Sequence, residues 1–364
     1  MNYREVEIFA PADLGDTGTE PIEINIEDNI SRIELIWQTT VVTVSDMLAP
    51  HAACISKVEL IDGSDVLHSL SGEQIQAMAF HTIGKMPLDE ISVVAADYMR
   101  SVLPIYFGRK LYDPLLAFDP KKFRNPQLKV TWDEDAANTS VIANELTVRG
   151  DVFDEKAVSP IGFLMSKEIK SYTPANNTPE YTNMPLDHPY RMLMIQSEAT
   201  DKNPFEVLAQ VKLAENHDKK IPFDMTGAEI FRKIIQPLGP ISQNVRLNET
   251  AADAMALHLT PTYGHVCQVA YDADVIAAND DFTQPTFAGC IVTIAATVSY
   301  VPYRALVQGY APNFCFGIPF GDLQDPADWY DVTKLGHLRL TTQGAAAVGT
   351  TPAARICLQQ LRKY

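Results

Sequence analysis

One stretch of the sequence occurs twice, at residues 58–87 and again at residues 211–240. Each copy carries alternating apolar residues, a polar turn, and a hydroxyl residue followed by glycine. An isoleucine stands three positions after that glycine, and a second glycine stands twelve positions after it. Self-similarity at this scale is typical of chains built from repeated structural units. We therefore interpret the chain as two tandem copies of one fold.

The repeated stretch contains the signature of a helix start. Ser71 with Gln74, and Thr226 with Glu229, have the spacing of a capping box. In this motif the hydroxyl accepts a hydrogen bond from the N3 amide, and the N3 side chain accepts one from the amide of the capping residue. Each copy thus predicts a strand, a turn and a short capped helix that stops at Gly and Pro. The two helices are expected at equivalent places, starting at Glu73 and Ala228.

The sequence around the two copies repeats as well. An apolar strand pattern precedes each copy, at residues 32–38 and 191–196. Four landmarks then follow each copy in the same order: residues 107–108, 118–119, 122–123 and 128–131 after the first, and residues 320–321, 330–331, 334–335 and 338–341 after the second. Because the order is kept, two unrelated amphipathic helices are a poor explanation of the match.

Many short strand patterns indicate the fold class. Apolar and polar residues alternate with period two, as in sheets with one buried face. Pro and Asx-Pro pairs separate these patterns as turns. A chain of this kind predicts an all-β sandwich or barrel. The further strands expected include residues 141–153, 163–172, 291–302, 313–318 and 353–360.

The predicted organisation is an arm followed by two domains. Residues 1–20 are expected to be an extended N-terminal arm, since a proline and two glycines disfavour a long helix there. The first domain is placed at residues 21–157 and the second at residues 158–364. The second copy also has extra sequence at about residues 242–289, rich in Ala, Asn, Asp and Thr. We expect this insertion to project from the second domain and to face outward.

Charge and cysteine content exclude several classes of protein. The chain has 364 residues and a net charge of -17, and the stretch before Arg32 carries eight acids and one base. Direct nucleic-acid binding needs basic patches, so we do not expect it. The five cysteines, at 54, 267, 290, 315 and 357, form no CxxC and are expected to be reduced and mostly buried. The sequence also predicts neither a secretory signal nor a membrane span.

The sequence lacks the common catalytic motifs. The sequence has no GxGxxG, no P-loop and no GxSxG. Its eight histidines are scattered, without HxH or HExxH, so a metal site of those kinds is disfavoured. His81, on the first capped helix, is expected to be packed in the structure. We therefore assign no catalytic, cofactor-binding or metal-ligating residue, and we predict that the chain is not an enzyme.

Two groups of residues leave other interpretations open. Carboxylates cluster at residues 133–135, at Asp272 with Asp274, and at residues 280–281. They could include a glycosidase pair or, around Asp272, part of a calcium site, although solvated loop acids are the simpler interpretation. Aromatic residues could line a sugar groove, although at strand spacing they are more often core: Tyr300, Tyr303, Tyr310, Phe314 and Phe316.

Residues 103–109, followed by residues 123–130, complete a pattern that resembles a known family. With the duplication and the capped helices, it is similar to the double jelly-roll major capsid proteins of tailless icosahedral viruses, the tectivirus-like group and its relatives infecting bacteria. The resemblance runs from about Glu20 to the C-terminus. It implies two tandem eight-stranded antiparallel jelly rolls, each with a short capped helix. It brings no catalytic residues, cofactors or metals with it.

The resemblance also implies a function and partners. Members of the family form homotrimers, so that six similar units surround one axis and act as pseudo-hexameric capsomers in an icosahedral shell. The expected partners are further copies of the chain, penton or minor capsid proteins and, in members that have one, an internal membrane. The expected location is the virion, after synthesis in the host cytoplasm.

Two other functions remain as alternatives. One is a carbohydrate-binding or adhesion protein, such as a spike, a fibre or a lectin-like sandwich. The other is a polysaccharide-acting enzyme of sandwich fold. Particle formation separates the first interpretation from these two, whereas sugar binding at exposed aromatic residues would favour the adhesion protein.

Overall fold

The computed structural model describes residues 2–43, 46–137, 140–199, 201–248, 255–271, 291–294 and 302–364. The first unit of the chain consists of β1 (Tyr3–Asp13), β2 (Thr17–Glu23), β3 (Ile30–Val41), β4 (Ile55–Asp62), β5 (Asp65–Leu70), α1 (Gly72–Ile83), β6 (Asp89–Val93), β7 (Tyr98–Tyr106), β8 (Pro126–Asp133) and β9 (Val141–Phe153).

The second unit follows after residues 154–161. It consists of β10 (Gly162–Tyr172), β11 (Pro179–Asn183), β12 (Tyr190–Glu198), α2 (Pro204–Val207), β13 (Leu208–Glu215), β14 (Lys220–Thr226), α3 (Gly227–Ile230), β15 (Ile241–Asn248), β16 (Met255–His258), β17 (Pro261–Tyr271), β18 (Ile291–Ile294), β19 (Pro302–Pro312), β20 (Cys315–Pro319), β21 (Leu338–Gly344) and β22 (Ala353–Lys363).

Each unit is a sandwich of two sheets, and alternation along the strands explains why. In β3 the side chains of Ile33, Leu35 and Trp37 are fully buried, while the residues between them are half-buried. Such strands turn one face toward the opposite sheet. The cluster around Trp37 forms the core of the first unit, and a second cluster around Leu213 and Leu358 forms the core of the second. The all-β prediction is confirmed.

The two units repeat the same strand order. In the first unit the sheets run β1-β9-β3-β7-β6 and β2-β8-β4-β5. In the second unit β10-β22-β12-β20 and β11-β21-β13-β14 take the corresponding places. Even the irregularities recur, because β1 and β10 each carry a bulge, directly after Glu7 and directly after Glu168. The duplication predicted from the sequence is therefore present in the structure.

Both capped helices lie directly after the same strand of their unit, as predicted. Each begins one residue earlier than expected, at Gly72 and Gly227. Ser71 and Gln74 form both bonds of the capping box. Thr226 instead donates from its N–H and its hydroxyl to Glu229. The first helix continues for 12 residues to a left-handed Gly84. The second passes into a π-helical turn over Phe231–Ile235. A 3-10 turn at Gln236–Leu238 then ends it, where Pro237 has no N–H to donate.

Strand pairing corrects the alignment of the sequence landmark at residues 338–341. Leu128 lies opposite Leu60, and in the second unit the residue opposite Leu213 is Leu340, two positions later than the sequence landmark beginning at residue 338. A slip of two residues keeps the same face buried, so alternation alone could not reveal it.

The start of β12 shows a slip of one residue. Phe107 donates its N–H to the carbonyl of Ser31, and Phe320 donates its N–H to the carbonyl of Arg191. The counterpart of Arg191 in the first unit is therefore Ser31 and not Arg32.

The predicted arm and the predicted insertion are both tied to sheets. Residues 3–13 are extended, and they pair with β9 as the outer strand β1. In the insertion, β15 pairs with β6 of the first unit, and Val245 and Leu257 are buried beside Met47 and Met99. Residues 249–254 and 272–290 lie outside the described part, so the outward projection of the insertion stays a prediction.

The other predicted strands fall as follows. The strands expected at residues 141–153, 163–172, 313–318 and 353–360 correspond to β9, β10, β20 and β22. Of the strand expected at residues 291–302, Ile291–Ile294 forms β18, and residues 295–301 are not described. No helix in the described part of the chain is long and apolar enough to cross a membrane.

Candidate functional site at the junction of the two units

Two pairs of parallel strands join the units. Within each unit the neighbouring strands are antiparallel, but β5 pairs in parallel with β10, with Ser69 opposite Lys167. On the other side β6 pairs in parallel with β15, with Ile91 opposite Val245. Both large sheets therefore run across the two units. The junction is part of the fold and does not behave as a contact between independent domains.

Helix α1 lies between the units and faces both of them. Ile75 and Met78 belong to the core of the first unit. Gln76, His81 and Thr82 are buried as well, although their side chains are polar. A buried polar group has to find a hydrogen-bond partner to avoid a penalty of about 1–3 kcal/mol. Two of these three polar side chains find theirs in the second unit, so α1 links the units by specific contacts.

Three of the hydrogen bonds in this link involve two glutamines of the helix. The Nε2 of Gln74 donates to Oε2 of Glu168 at 2.7 Å and to Oε1 of Gln196 at 3.1 Å. The Nδ2 of Asn313 donates to Oε1 of Gln76 at 3.3 Å. Gln74 also completes the capping box with Ser71. One side chain therefore both starts the helix and holds the second unit.

Apolar packing strengthens the junction. Met192, Met194, Cys315 and Cys357 of the second unit belong to the same core cluster as Trp37 of the first. Burying a side chain of this size is worth about 1.5–3 kcal/mol. The outer face of the sheet formed by β12, β20 and β22 is thus covered by the first unit.

Arg191 is a buried cation at this junction. Its side chain is 0% exposed, and its guanidinium lies 5.8 Å from the ring of Trp329. Nη1 donates to Thr82 of α1 at 3.3 Å and also to Gln359, while Nε donates to the carbonyl of Leu323. Burial lowers the pKa of Arg191 to about 10. The group stays charged at neutral pH and connects α1 to three parts of the second unit.

A polar cleft of about 400 Å³ opens beside the parallel pair of β5 and β10. Glu73, Glu168 and Arg355 line it. Burial, with the nearby Glu198 carboxylate, raises the pKa of Glu73 to about 7, and Arg355 opposes this rise. The cleft therefore contains a carboxyl group that titrates near neutral pH.

A second cleft, of about 440 Å³, lies where β6 and β15 diverge, and Asp89 and Gln243 are among its lining residues. Behind it Thr39, His51, Ser101 and Asp89 form a hydrogen-bonded chain, in which Ser101 donates to Asp89. Burial lowers the pKa of His51 to about 3 and raises the pKa of Asp89. The Ser101 hydroxyl is fully buried, so this chain acts as structural bonding and presents no nucleophile to solvent.

The carboxylates and the histidine singled out in the sequence form hydrogen bonds or are buried where the structure describes them. Asp133 accepts a hydrogen bond from the backbone N–H of Asp135, and Glu134 accepts one from Asn144. The acids at 272, 274, 280 and 281 lie outside the described residues. His81 is buried, and burial lowers its pKa to about 4. Within the described ranges, no three His, Cys, Asp or Glu side chains gather closely enough to hold a metal ion.

The aromatic and cysteine residues pack in the interior where their side chains are described. Phe316 packs against Phe205, and Tyr310 against Phe231. Phe314 is 3% exposed. Tyr300 and the side chain of Tyr303 fall in the part that is not described. Free and buried cysteines are found at Cys54, Cys315 and Cys357, while nothing is described of the other two thiols. The aromatic residues seen here form core and no sugar groove.

The sequence reasoning missed the junction itself. The sequence did contain a usable signal. Helix α1 has glutamines and a histidine among its apolar positions, so its polar groups are not confined to one outer face. Helix α3 shows the contrast, because the exposed residues Arg232 and Lys233 follow it where the first helix has Ala77 and Met78. Comparing the two copies position by position would have indicated that the first helix is covered and the second is not.

Comparisons with known proteins agree on one fold. No protein-family model matches the sequence, and no curated protein matches it. Solved structures do match over the whole chain. The major capsid protein of Sulfolobus Turreted Icosahedral Virus, STIV, is 10% identical, with 100% of this chain and 98% of that chain covered and a TM-score of 0.60.

Two further solved structures match in the same way. PBCV-1 VP54 is 11% identical, covers 99% of this chain and 93% of its own, and has a TM-score of 0.58. The major capsid protein of bacteriophage PM2 is 12% identical, covers 100% of this chain and 98% of its own, and has a TM-score of 0.52. Since identities this low establish the fold alone, the conclusion is structural: the chain has the double jelly-roll fold of these viral major capsid proteins.

Proposed function

We propose that this chain is the major capsid protein of an icosahedral virus and that its copies tile the virion shell. The observation that carries the proposal is the match, over the whole length of the chain, to the structures of major capsid proteins from three different viruses. A fold by itself does not decide function. Here the match includes both units and their order.

The finer part of the proposal is a homotrimer that acts as a pseudo-hexameric capsomer. Three copies of a two-unit chain place six similar sandwiches around one axis, which suits a hexagonal lattice position under closed threefold symmetry. The trimer would contact neighbouring capsomers, penton or minor capsid proteins. The chain would have no enzymatic activity and would need no cofactor.

The domain organisation belongs to the same proposal. Residues 21–157 and 158–364 would be the two jelly rolls, with β1 added to the first. The insertion at about residues 242–289 would face the outside of the shell, with its described strand β15 anchoring it to β6 of the first unit.

Particle formation is the direct test. The chain is expressed alone, its mass in solution is measured by light scattering, and the sample is imaged by electron microscopy. We expect a species with the mass of three chains and a pseudo-hexagonal outline, and sheets or shells at high concentration. A chain that stays monomeric at all concentrations and binds polysaccharide would instead favour the adhesion protein.

A further inference from the structure

The internal repeat leaves two strand edges free in the described structure. At the junction inside the chain, β5 gives its outer edge to β10. The counterpart of β5 is β14, which ends its sheet, and the counterpart of β10 is β1, which also ends its sheet. Each unit thus has one free strand edge, and the equivalent strand of the other unit is paired in the junction. Unpaired edges of this kind are templates for pairing with another chain.

We propose that β14 of one chain pairs in parallel with β1 of a second copy, so that the junction inside the chain is repeated between chains. The proposal rests on the proposed capsid function and names the surface through which that function operates. The occupant of the free edge is a second copy because the matching edge is present on this same chain. The contact is head-to-tail, and such contacts close into rings when the rotation allows.

The repeat predicts the register of this pairing. Ser69 stands two residues before its helix cap, and Asp224 stands two residues before Thr226. Lys167 stands one residue before Glu168 and the bulge of β10, and Val6 stands one residue before Glu7 and the bulge of β1. Because Ser69 lies opposite Lys167, Asp224 is expected opposite Val6 of the second copy.

The surfaces around the free edges of β14 and β1 are typical of a contact that forms between chains already folded. Ile221 on β14 is 45% exposed. Met194, on the covered sheet face of the second unit, corresponds to Glu34 in the first, and Glu34 is only half-buried. At this position the internal junction is therefore apolar, whereas its counterpart between copies is more polar. Interfaces that form between separately soluble chains are typically more polar than permanent ones.

Charge is complementary across the proposed contact, with one exception. Arg232 and Lys233 follow α3 and are exposed, while β1 presents Glu7 and also Glu5, which pairs with Arg149 at 2.8 Å. The exception follows from the register. Gln74, which donates to Glu168 inside the chain, has Glu229 as its counterpart. Two carboxylates, Glu229 and Glu7 of the second copy, would meet where the internal junction has an amide and a carboxylate.

Cysteine cross-linking tests the register. A chain with Val6→Cys and Asp224→Cys is oxidised gently and run on a non-reducing gel. Adjacent strands lie about 4.8 Å apart, which is within the range for a disulfide. We expect covalent dimers and trimers. The matched control, Glu5→Cys with Asp224→Cys, places the first thiol on the opposite face of β1 and should give few.

A substitution at Glu229 tests the same contact without a cross-link. Glu229→Gln supplies the amide donor that Gln74 provides internally. The dissociation constant between chains, measured by sedimentation, should fall about tenfold, as expected for one hydrogen bond to a charged acceptor. Glu229→Ala supplies no hydrogen-bond donor, so it should lower the dissociation constant by less than Glu229→Gln does. An unchanged or raised dissociation constant for Glu229→Gln would contradict the register.

The outcomes separate this interface from the proposed function. If the oxidised test variant forms trimers or shells but no Val6–Asp224 disulfide, this interface is wrong and the capsid proposal stands. The same holds if the control variant cross-links equally well. A chain that remains monomeric under all conditions overturns both. Cross-linked trimers in the test variant alone support both.

Discussion

Glu7 and Glu168 hold the same position in the two units, each as the last paired residue before the bulge of an outer strand. Glu168 accepts a hydrogen bond from Gln74 across the junction. Glu7 is exposed on a strand that ends its sheet. One position of the repeat is thus an internal contact in one copy and free surface in the other. This difference provides matched pairs of variants, in which the same change is made at a covered and at an uncovered site.

The first prediction concerns the capping residues of the two helices. Gln74→Ala removes the side-chain half of the capping box of α1 and two hydrogen bonds to the second unit, so the free energy of unfolding should fall by about 1–3 kcal/mol. Glu229→Ala removes only the two hydrogen bonds that Thr226 donates to Glu229 at the start of α3, and it should cause a smaller fall. Urea unfolding followed by circular dichroism measures both. Equal losses would show that Gln74 adds nothing at the junction.

The second prediction concerns the close approach of α1 to β20. A Cβ placed on Gly317 would lie 2.9 Å from Cγ of His81 and 2.9 Å from Sδ of Met192. Gly317→Ala should therefore push α1 away from the second unit and lower the free energy of unfolding by about 1–3 kcal/mol. Gly336→Ala is the control, since the nearest atom to its Cβ is 3.5 Å away. That control should change stability by less than about 0.5 kcal/mol.

The third prediction is a dependence of stability on pH through Glu73. Its pKa is raised from 4.5 to about 7, so the folded chain binds this proton more tightly than the unfolded chain. The stabilisation that this bound proton provides is complete below pH 4.5 and is lost as the pH rises through about 7. Glu73→Gln imitates the protonated group, so the variant should be more stable than the wild type at pH 8, by on the order of 2 kcal/mol.

Unfolding curves at pH 4, 6 and 8 test this. The difference between Glu73→Gln and the wild type should vanish at the lowest pH and grow toward the highest. A parallel series for Glu27→Gln, whose side chain is 88% exposed, controls for the loss of one negative charge. A constant difference across the three pH values would rule out titration of Glu73 in this range.

The fourth prediction is that the chain does not bind DNA directly. Its net charge is -17, and counterion-driven binding needs clustered Lys and Arg. Purified protein at physiological salt should leave the mobility of duplex DNA unchanged in a gel. Tight binding that weakens with salt would reveal a local basic surface.

The sequence could predict the repeated parts of the fold because their signals are local. A capping box and a strand before it occupy a few neighbouring positions, so Ser71 and Thr226 could be matched without knowledge of the fold. The register of distant strands has no such signal. The correct alignment of Leu128 with Leu340 needed the strand partners, because a shift of two residues leaves the buried face unchanged.

The strand pairing at the junction could not be predicted from the sequence for a related reason. Its parallel pairs join Ser69 to Lys167 and Ile91 to Val245, and nothing in either segment specifies the other. The burial of Gln74 and Arg191 depends on that pairing. Polar residues of this kind look like surface in a sequence and become contacts only when a distant segment covers them.

The short connection at residues 154–161 changes how a ring of such chains would come apart. A ring of three chains has as many junctions within chains as between them. Within a chain the two faces are tethered, at an effective concentration on the order of millimolar whatever the amount of protein present. Dilution can therefore open only the contacts between chains. The product is three intact protomers, each with its internal junction still closed. Reassembly needs two bimolecular encounters, where six separate units would need five, because the last contact of a ring closes within the assembly.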